Sequence, residues 1–402
     1  MNKHYHITYF CGFPATDKWR ERYEEAIECG FDLLPIEHGD VCVKKDILRF
    51  FEEKGVLATL HDYRVSQFLH ENCEKWLSDL DTVEEAVRQV CEDFRDFPAL
   101  YCYHIIDEPT EDKIPLLAEI VKMFKKHDPK HFCYINQWPM AAMNENWLQR
   151  YMDEVSPDLL SYDQYHLCAD NRPDEDLTIT DAETAIKYAA QLNRIDNEGY
   201  YKALERARLH ALRKNIPYML IILLTEHGRY RYLLPDEIRY EVYQTLAYGC
   251  SALSYFRYWA SEERPPVWRD QNSCVTGDGD NIFRCQHYYD VQAINREIRP
   301  IGEHIAATVS EAVFHVGEES DPVQFFTEYK DIRSITGGRY TVGFFEDGSF
   351  LIANKDYMNP SICTVETDTE LEVFDTNKSI FVPVSEKQYT ISAGGGVYLR
   401  RR

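Results

Sequence analysis

The stretch Tyr101-Cys-Tyr-His-Ile-Ile-Asp-Glu-Pro-Thr110 decides how the rest of the chain is read. A β-favouring apolar run ends abruptly in two adjacent carboxylates and a proline. Proline has no N–H to give a sheet and stops a strand from continuing. Asp107 and Glu108 therefore stand at the C-terminal end of a predicted strand. Alone, Asp-Glu-Pro suits any surface turn, and its weight comes from where it falls in a series.

Working outward, short β-rich runs precede it at residues 6–10, 31–36 and 56–60, and others follow at 132–135, 159–162, 218–224 and 252–256. Amphipathic stretches between them predict helices over 18–29, 44–54, 84–94, 111–126, 144–154, 200–214, 235–248 and 288–305. Gly30 and Gly55 supply stops for the first two. Eight strands, each followed by a helix, is the count of a (β/α)8 TIM barrel. The quoted run is then its fourth strand. From about Glu311 the pattern changes to short alternating runs punctuated by Gly337-Gly338, Asp347-Gly348 and Gly394-Gly-Gly396. That predicts an α/β barrel over residues 1–308 and a small antiparallel, sandwich-like β domain over 309–402. The acidic stretch 170–181 reads as a solvated loop after strand six.

Composition narrows the partners. The chain carries 44 basic and 68 acidic residues, for a net charge of -24, and such a surface repels phosphate backbones. Nucleic acid is not an expected partner. Nor is a membrane, because the longest apolar stretch, 218–224, is only strand-sized. The first ten residues lack the basic head and apolar run of a secretory signal. The 12 cysteines sit singly, several (Cys29, Cys102, Cys133, Cys250) inside predicted elements. Scattered thiols of this kind point to a reducing cytoplasm. Nothing in the sequence sets an oligomeric state.

Catalytic groups of TIM barrels sit where strands end. Here those ends read Glu37-His38, His61-Asp62-Tyr63-Arg64, Asp107-Glu108, Asn136-Gln137-Trp138, Asp163-Gln-Tyr165-His166, Glu226-His227 and Arg257-Tyr258-Trp259. A purely structural barrel has no reason to gather so many polar and aromatic groups at one rim.

With Asp-Glu-Pro on strand four, the chain resembles the clan of TIM-barrel retaining glycoside hydrolases that includes the β-galactosidases. Ser161-Tyr-Asp-Gln-Tyr165 and the run from Tyr243 to Phe256 share its character. The resemblance covers residues 4–305, and it implies that Glu108 is the acid/base and Glu226, by its place on strand seven, the nucleophile. Asp107 departs from the clan, which usually has Asn there, so a substrate hydroxyl would meet a carboxylate instead of an amide. Retaining hydrolysis places two carboxyls about 5–5.5 Å apart across the bond. The resemblance further implies a carbohydrate substrate and no cofactor or metal, and a cytoplasmic location would favour a small glycoside or oligosaccharide over a polysaccharide. Tyr162 or Tyr165 would orient the nucleophile, and Trp138 and Trp259 would stack on sugar rings. His38, His61, Asp62, Asp163, His166 and Tyr258 would line the binding surface, with Glu37 the alternative nucleophile.

Two other readings use the same residues. Glu37, His61, Asp62, Asp163, His166 and Glu226 form a His/carboxylate set of the type that holds divalent cations in sugar isomerases and epimerases. No spacing such as H-x-x-x-H supports it. A sugar-binding barrel without catalysis is the third. A phosphate site is disfavoured, since no Gly-rich loop opens a helix after strand seven or eight.

Overall fold

The computed structural model describes residues 4–140, 144–171, 177–260, 271–277, 281–321 and 323–402. The barrel strands are β1 (His6–Tyr9), β2 (Leu33–Ile36), β3 (Leu57–His61), β4 (Leu100–Asp107), β5 (Phe132–Gln137), β6 (Leu160–Asp163), β7 (Tyr218–Leu223) and β8 (Ala252–Phe256). They form a closed barrel in which each strand neighbours the next and β1 meets β8. The closing pair is parallel, with His6 opposite Ala252 and Tyr9 opposite Tyr255. Strands covered on both faces need no polar alternation; β7 reads Tyr-Met-Leu-Ile-Ile-Leu, and all of it is buried.

The predicted helices are present, and side-chain caps set the starts of some of them. Asp40 accepts from the N–H groups of Cys42 and Val43, so that helix begins at Val41. Asp79 accepts from Thr82 and starts the next at Leu80. Three further helices, Tyr63–His70, Cys73–Leu77 and Ala182–Ala189, were not foreseen. They are short, and tertiary burial of Val65, Phe68 and Leu69 holds the first. The expected solvated loop at 170–181 is corrected in part. Ile179 is fully buried, its N–H donating to Asn272 Oδ1 at 2.9 Å and its carbonyl accepting from Gln286 N–H. Residues 172–176 of that stretch lie outside the described residues.

The last helix, Gln286–Ala306, is followed at Ser310 by a six-stranded antiparallel sheet and a three-stranded one. Val342, Phe344 and Ile352 of the first share one core with Ile335, Cys363 and Val365 of the second, which makes the pair a sandwich. The helix Pro235–Tyr248 lies against the larger sheet and is buried on nearly all sides. Contact is close enough that a Cβ on Gly343 would fall 1.7 Å from the carbonyl oxygen of Ala247. Gly343→Ala should therefore push helix and sheet apart, destabilising the protein by about 1–3 kcal/mol or more. A melting curve measures it; an unchanged midpoint would mean that the two layers slide freely.

Candidate active site

Register brings the rim residues together. Asp107 of β4 is paired with Asn136 of β5, and Asn136 with Ser161 of β6. Alternation then aims Asn136, Ser161 and Asp163 into the barrel. Asn136 ties them: its Nδ2 donates to Asp107 Oδ1 at 3.0 Å and to Asp163 Oδ1 at 3.2 Å, while its Oδ1 accepts from the Ser161 hydroxyl at 3.0 Å.

Glu108 is presented by strained backbone. The β4–β5 register shifts between His104 and Ile106, and bulges of this kind re-aim side chains beside functional sites. One residue past the strand, Glu108 has φ of 42°, in the left-handed region that a non-glycine residue rarely adopts. Such strain costs on the order of 1–3 kcal/mol. Its N–H donates to the Asn136 carbonyl at 2.9 Å, and Pro109 forbids continuation of the strand.

Burial, and then the charge of Asp107, push the Glu108 pKa up to about 7, against a hydrogen bond to Asp163 that lowers it. Asp163 is raised as well, first by burial and then by Glu108 and Asp107. Adjacent carboxyls cannot both ionise cheaply, so this pair holds a proton near neutrality. Glu37 is open to water at the mouth. Although exposed by area, its carboxyl is ringed by protein, and this loss of hydration raises its pKa with help from the Asp107 charge, against the Gly12 N–H and the Arg257 charge. Deeper in the barrel, burial and the charge of His61 depress His104 to about 3; it is a neutral imidazole 4.9 Å from the Tyr134 ring.

Aromatic rings line one side of the mouth. Phe256 lies 6.3 Å from Phe10, 5.7 Å from Tyr165 and 4.9 Å from His227. Tyr230 adds a ring 5.0 Å from Tyr165. Trp138, at the end of β5, is 36% exposed and available to a ligand. Trp259 is partly buried, with the Arg257 guanidinium 5.7 Å from its ring. The mouth thus combines a proton-bearing carboxyl pair, further carboxylates and aromatic faces.

Several expected members are buried or already engaged by neighbouring side chains. Glu226 is 0% exposed. It accepts from the Tyr188 hydroxyl at 2.7 Å and from Asn272 Nδ2 at 3.3 Å, and Tyr188 belongs to a small satellite core with Ile179 and Tyr232. The chain leaves β7 so that His227, not Glu226, faces the aromatic wall. Tyr162 and Tyr258 are fully buried. The Tyr258 ring packs 5.0 Å from Tyr9 and 5.4 Å from Phe31. Asp62 forms an ion triad with Lys44 Nζ and Arg64 Nε, each at 2.9 Å. His166 stacks on Tyr200 at 4.5 Å and lines a separate polar cleft of about 1510 Å³ with Asp196, Arg339, Lys355 and Tyr357. His61 bonds Ser66 Oγ through Nε2 at 2.9 Å, and His38 Nδ1 accepts from the Asp40 N–H at 3.1 Å. The proposed isomerase set is thus dispersed. Among the described residues, no three His, Cys, Asp or Glu side chains at the mouth lie close enough to share one ion.

Sequence reading did not single out His104, although it follows Cys102 at the spacing of inward-facing positions on β4. The bridging role of Asn136 depends on sheet register and had no local signal.

No family model matches the chain, and no curated protein matches it. Solved structures do resemble it in fold. The β-galactosidase of Rahnella sp. R3 superposes with a TM-score of 0.56 at 9% identity, covering 99% of this chain and 98% of that one. The β-galactosidase of the psychrophilic Marinomonas ef1 gives 0.51 at 8% identity over 75% of this chain. That match spans 62% of the β-galactosidase's own length. A family 5 mannosidase of Rhizomucor miehei gives 0.50 at 12% identity over 75% of this chain and 94% of its own. At such identities the likeness is one of architecture. These glycoside hydrolases share the barrel, and the Rahnella enzyme matches across both barrel and β domain.

Proposed function

We propose that the protein is a glycoside hydrolase acting on a small glycoside or oligosaccharide, with Glu108 as general acid. The observation that carries this reading is the Glu108–Asp163 pair, with Glu108 held on strained backbone and its pKa lifted to about 7. An acid of that pKa is still protonated near neutrality and is also basic enough to accept a proton later. Glu108 would protonate the glycosidic oxygen, and Trp138 would support a sugar face. With Glu226 buried, we assign the second carboxylate role to Glu37, which is exposed and feels the charge of Arg257. Glu37 would attack the anomeric carbon, or activate water beside it. That the fold neighbours include two β-galactosidases and a mannosidase supports this chemistry.

Hydrolysis of a panel of nitrophenyl glycosides by wild type, Glu108→Ala, Glu37→Ala and Glu226→Ala tests the assignment. Cleavage indifferent to EDTA should be lost in the first two variants and kept by Glu226→Ala molecules that fold. Glycosyl azide formed by Glu37→Ala identifies a retaining nucleophile, and the anomer released first by wild type distinguishes retention from inversion. Loss in Glu226→Ala with azide rescue would restore the strand-seven nucleophile. An absence of cleavage on every glycoside would sink the hydrolase reading.

A further inference from the structure

At the opposite end of the barrel from Glu108, three potential ligands converge. His4 and His6 are two residues apart on extended chain, so their side chains share a face. Asp32, just before β2, receives both: its Oδ2 lies 2.9 Å from His4 Nε2 and 2.8 Å from His6 Nδ1. Among the described residues, these make up the one group of three or more His, Cys, Asp or Glu ligand atoms lying within 4.8 Å of one another. We propose that His4, His6 and Asp32 form a binding site for a divalent transition metal, with Zn²⁺ the best fit, independent of the reaction at the mouth.

Two imidazoles and a carboxylate are a common ligand set for Zn²⁺. Bonds of about 2.0–2.2 Å at tetrahedral angles put ligand atoms roughly 3.3–3.5 Å apart. The two nitrogens therefore need to move from Oδ2 by only about half an ångström. The surroundings are already those of a supported metal site. Glu303 Oε1 lies 2.8 Å from His4 Nδ1, the carboxylate–histidine relay that fixes a ligating ring. The other oxygen of Asp32 is held by the Ile7 N–H at 2.8 Å and by Arg299 Nη1 at 2.8 Å, which turns Oδ2 toward the imidazoles. Arg299 therefore stabilises the ligand's orientation without blocking the coordinating atom. On binding, the metal takes the place of the protons between Oδ2 and the two rings. His4 releases its Nε2 proton to solvent and keeps the Nδ1 proton on Glu303. The His6 Nδ1 proton leaves to solvent or passes to Nε2, which is buried and has no hydrogen-bond partner among the described residues. The His4 side chain is 41% exposed, leaving a fourth position for water and a path for entry. Such a bond would fasten the first strand to the start of the second and strengthen the barrel where it closes.

Full-length protein stripped with chelator and titrated with Zn²⁺ by calorimetry tests the site, with Co²⁺ absorption as a second readout. Wild type should take up one equivalent, raise its melting temperature and give the visible bands of tetrahedral cobalt. His4→Ala, which removes an exposed side chain and spares the core, should lose that equivalent. Glu303→Gln should weaken binding about 10–100-fold. Failure of wild type to bind one equivalent would leave the cluster as an ion-pair network and overturn the proposal. So would a His4→Ala variant that binds as wild type does.

Discussion

Glu108→Gln should lower kcat/KM on glycosides with poor leaving groups by about 10²–10⁴-fold, while substrates with strongly acidic leaving groups lose far less. Protonation matters only where the departing oxygen is basic, and glutamine keeps the shape of the side chain without a transferable proton. The same variant should change the pH profile. A general acid is active while protonated, so with a pKa of about 7 wild-type activity should fall as pH rises through neutrality. Glu108→Gln should lack that alkaline limb. Asp107 contributes through its charge, the second cause of the raised pKa after burial. Asp107→Asn, the residue usual in the resembling clan, should therefore move the limb to lower pH. A limb that survives in Glu108→Gln would assign the proton to Asp163 instead.

The other large effect concerns a residue that looked like part of the site. Asp62→Asn should destabilise the fold by about 3–5 kcal/mol and leave turnover per folded molecule unchanged. Asp62 is 8% and Lys44 2% exposed, and the carboxylate also caps the helix Tyr63–His70 through the Arg64 N–H. An asparagine preserves a cap but strands the buried ammonium of Lys44. Adding Lys44→Met should recover much of the loss, because the cost lies in the unpaired charge. Burial alone would raise the Asp62 pKa, but Arg64 and Lys44 outweigh it and hold the carboxyl below its ordinary value. The stabilisation is therefore present above the unfolded-state carboxylate pKa and lost as pH falls through the folded one. Denaturant titrations at pH 7 and in acid measure both effects. A loss of kcat with stability intact would return Asp62 to the mouth.

These two residues show how far sequence reading reached. The strand count was legible because each barrel strand is a short, doubly covered apolar run bounded by turn residues. The Asp-Glu-Pro stop announced where β4 ends. The rim was legible as a set, since strand ends in a parallel barrel face one way. Which members of the set face the mouth was not. Glu226 and His227 are adjacent, and a single residue of register decides which points inward. Asp62 and His61 pose the same problem, and the partners of Asp62 come from a helix foreseen (Lys44) and one that was not (Arg64).

The sequence by itself determined the architecture and the strand end at which Glu108 stands. An eightfold alternation of apolar strands and amphipathic helices has few ways to bury itself, and a proline after Asp107-Glu108 leaves one place for Glu108. Only the tertiary structure decided which groups act together. The Asn136 bridge, the coupling of Glu108 to Asp163, the burial of Glu226 and His166, and the His4–His6–Asp32 cluster all join residues from different strands or helices. Their distances depend on register and close packing, which local pattern does not encode.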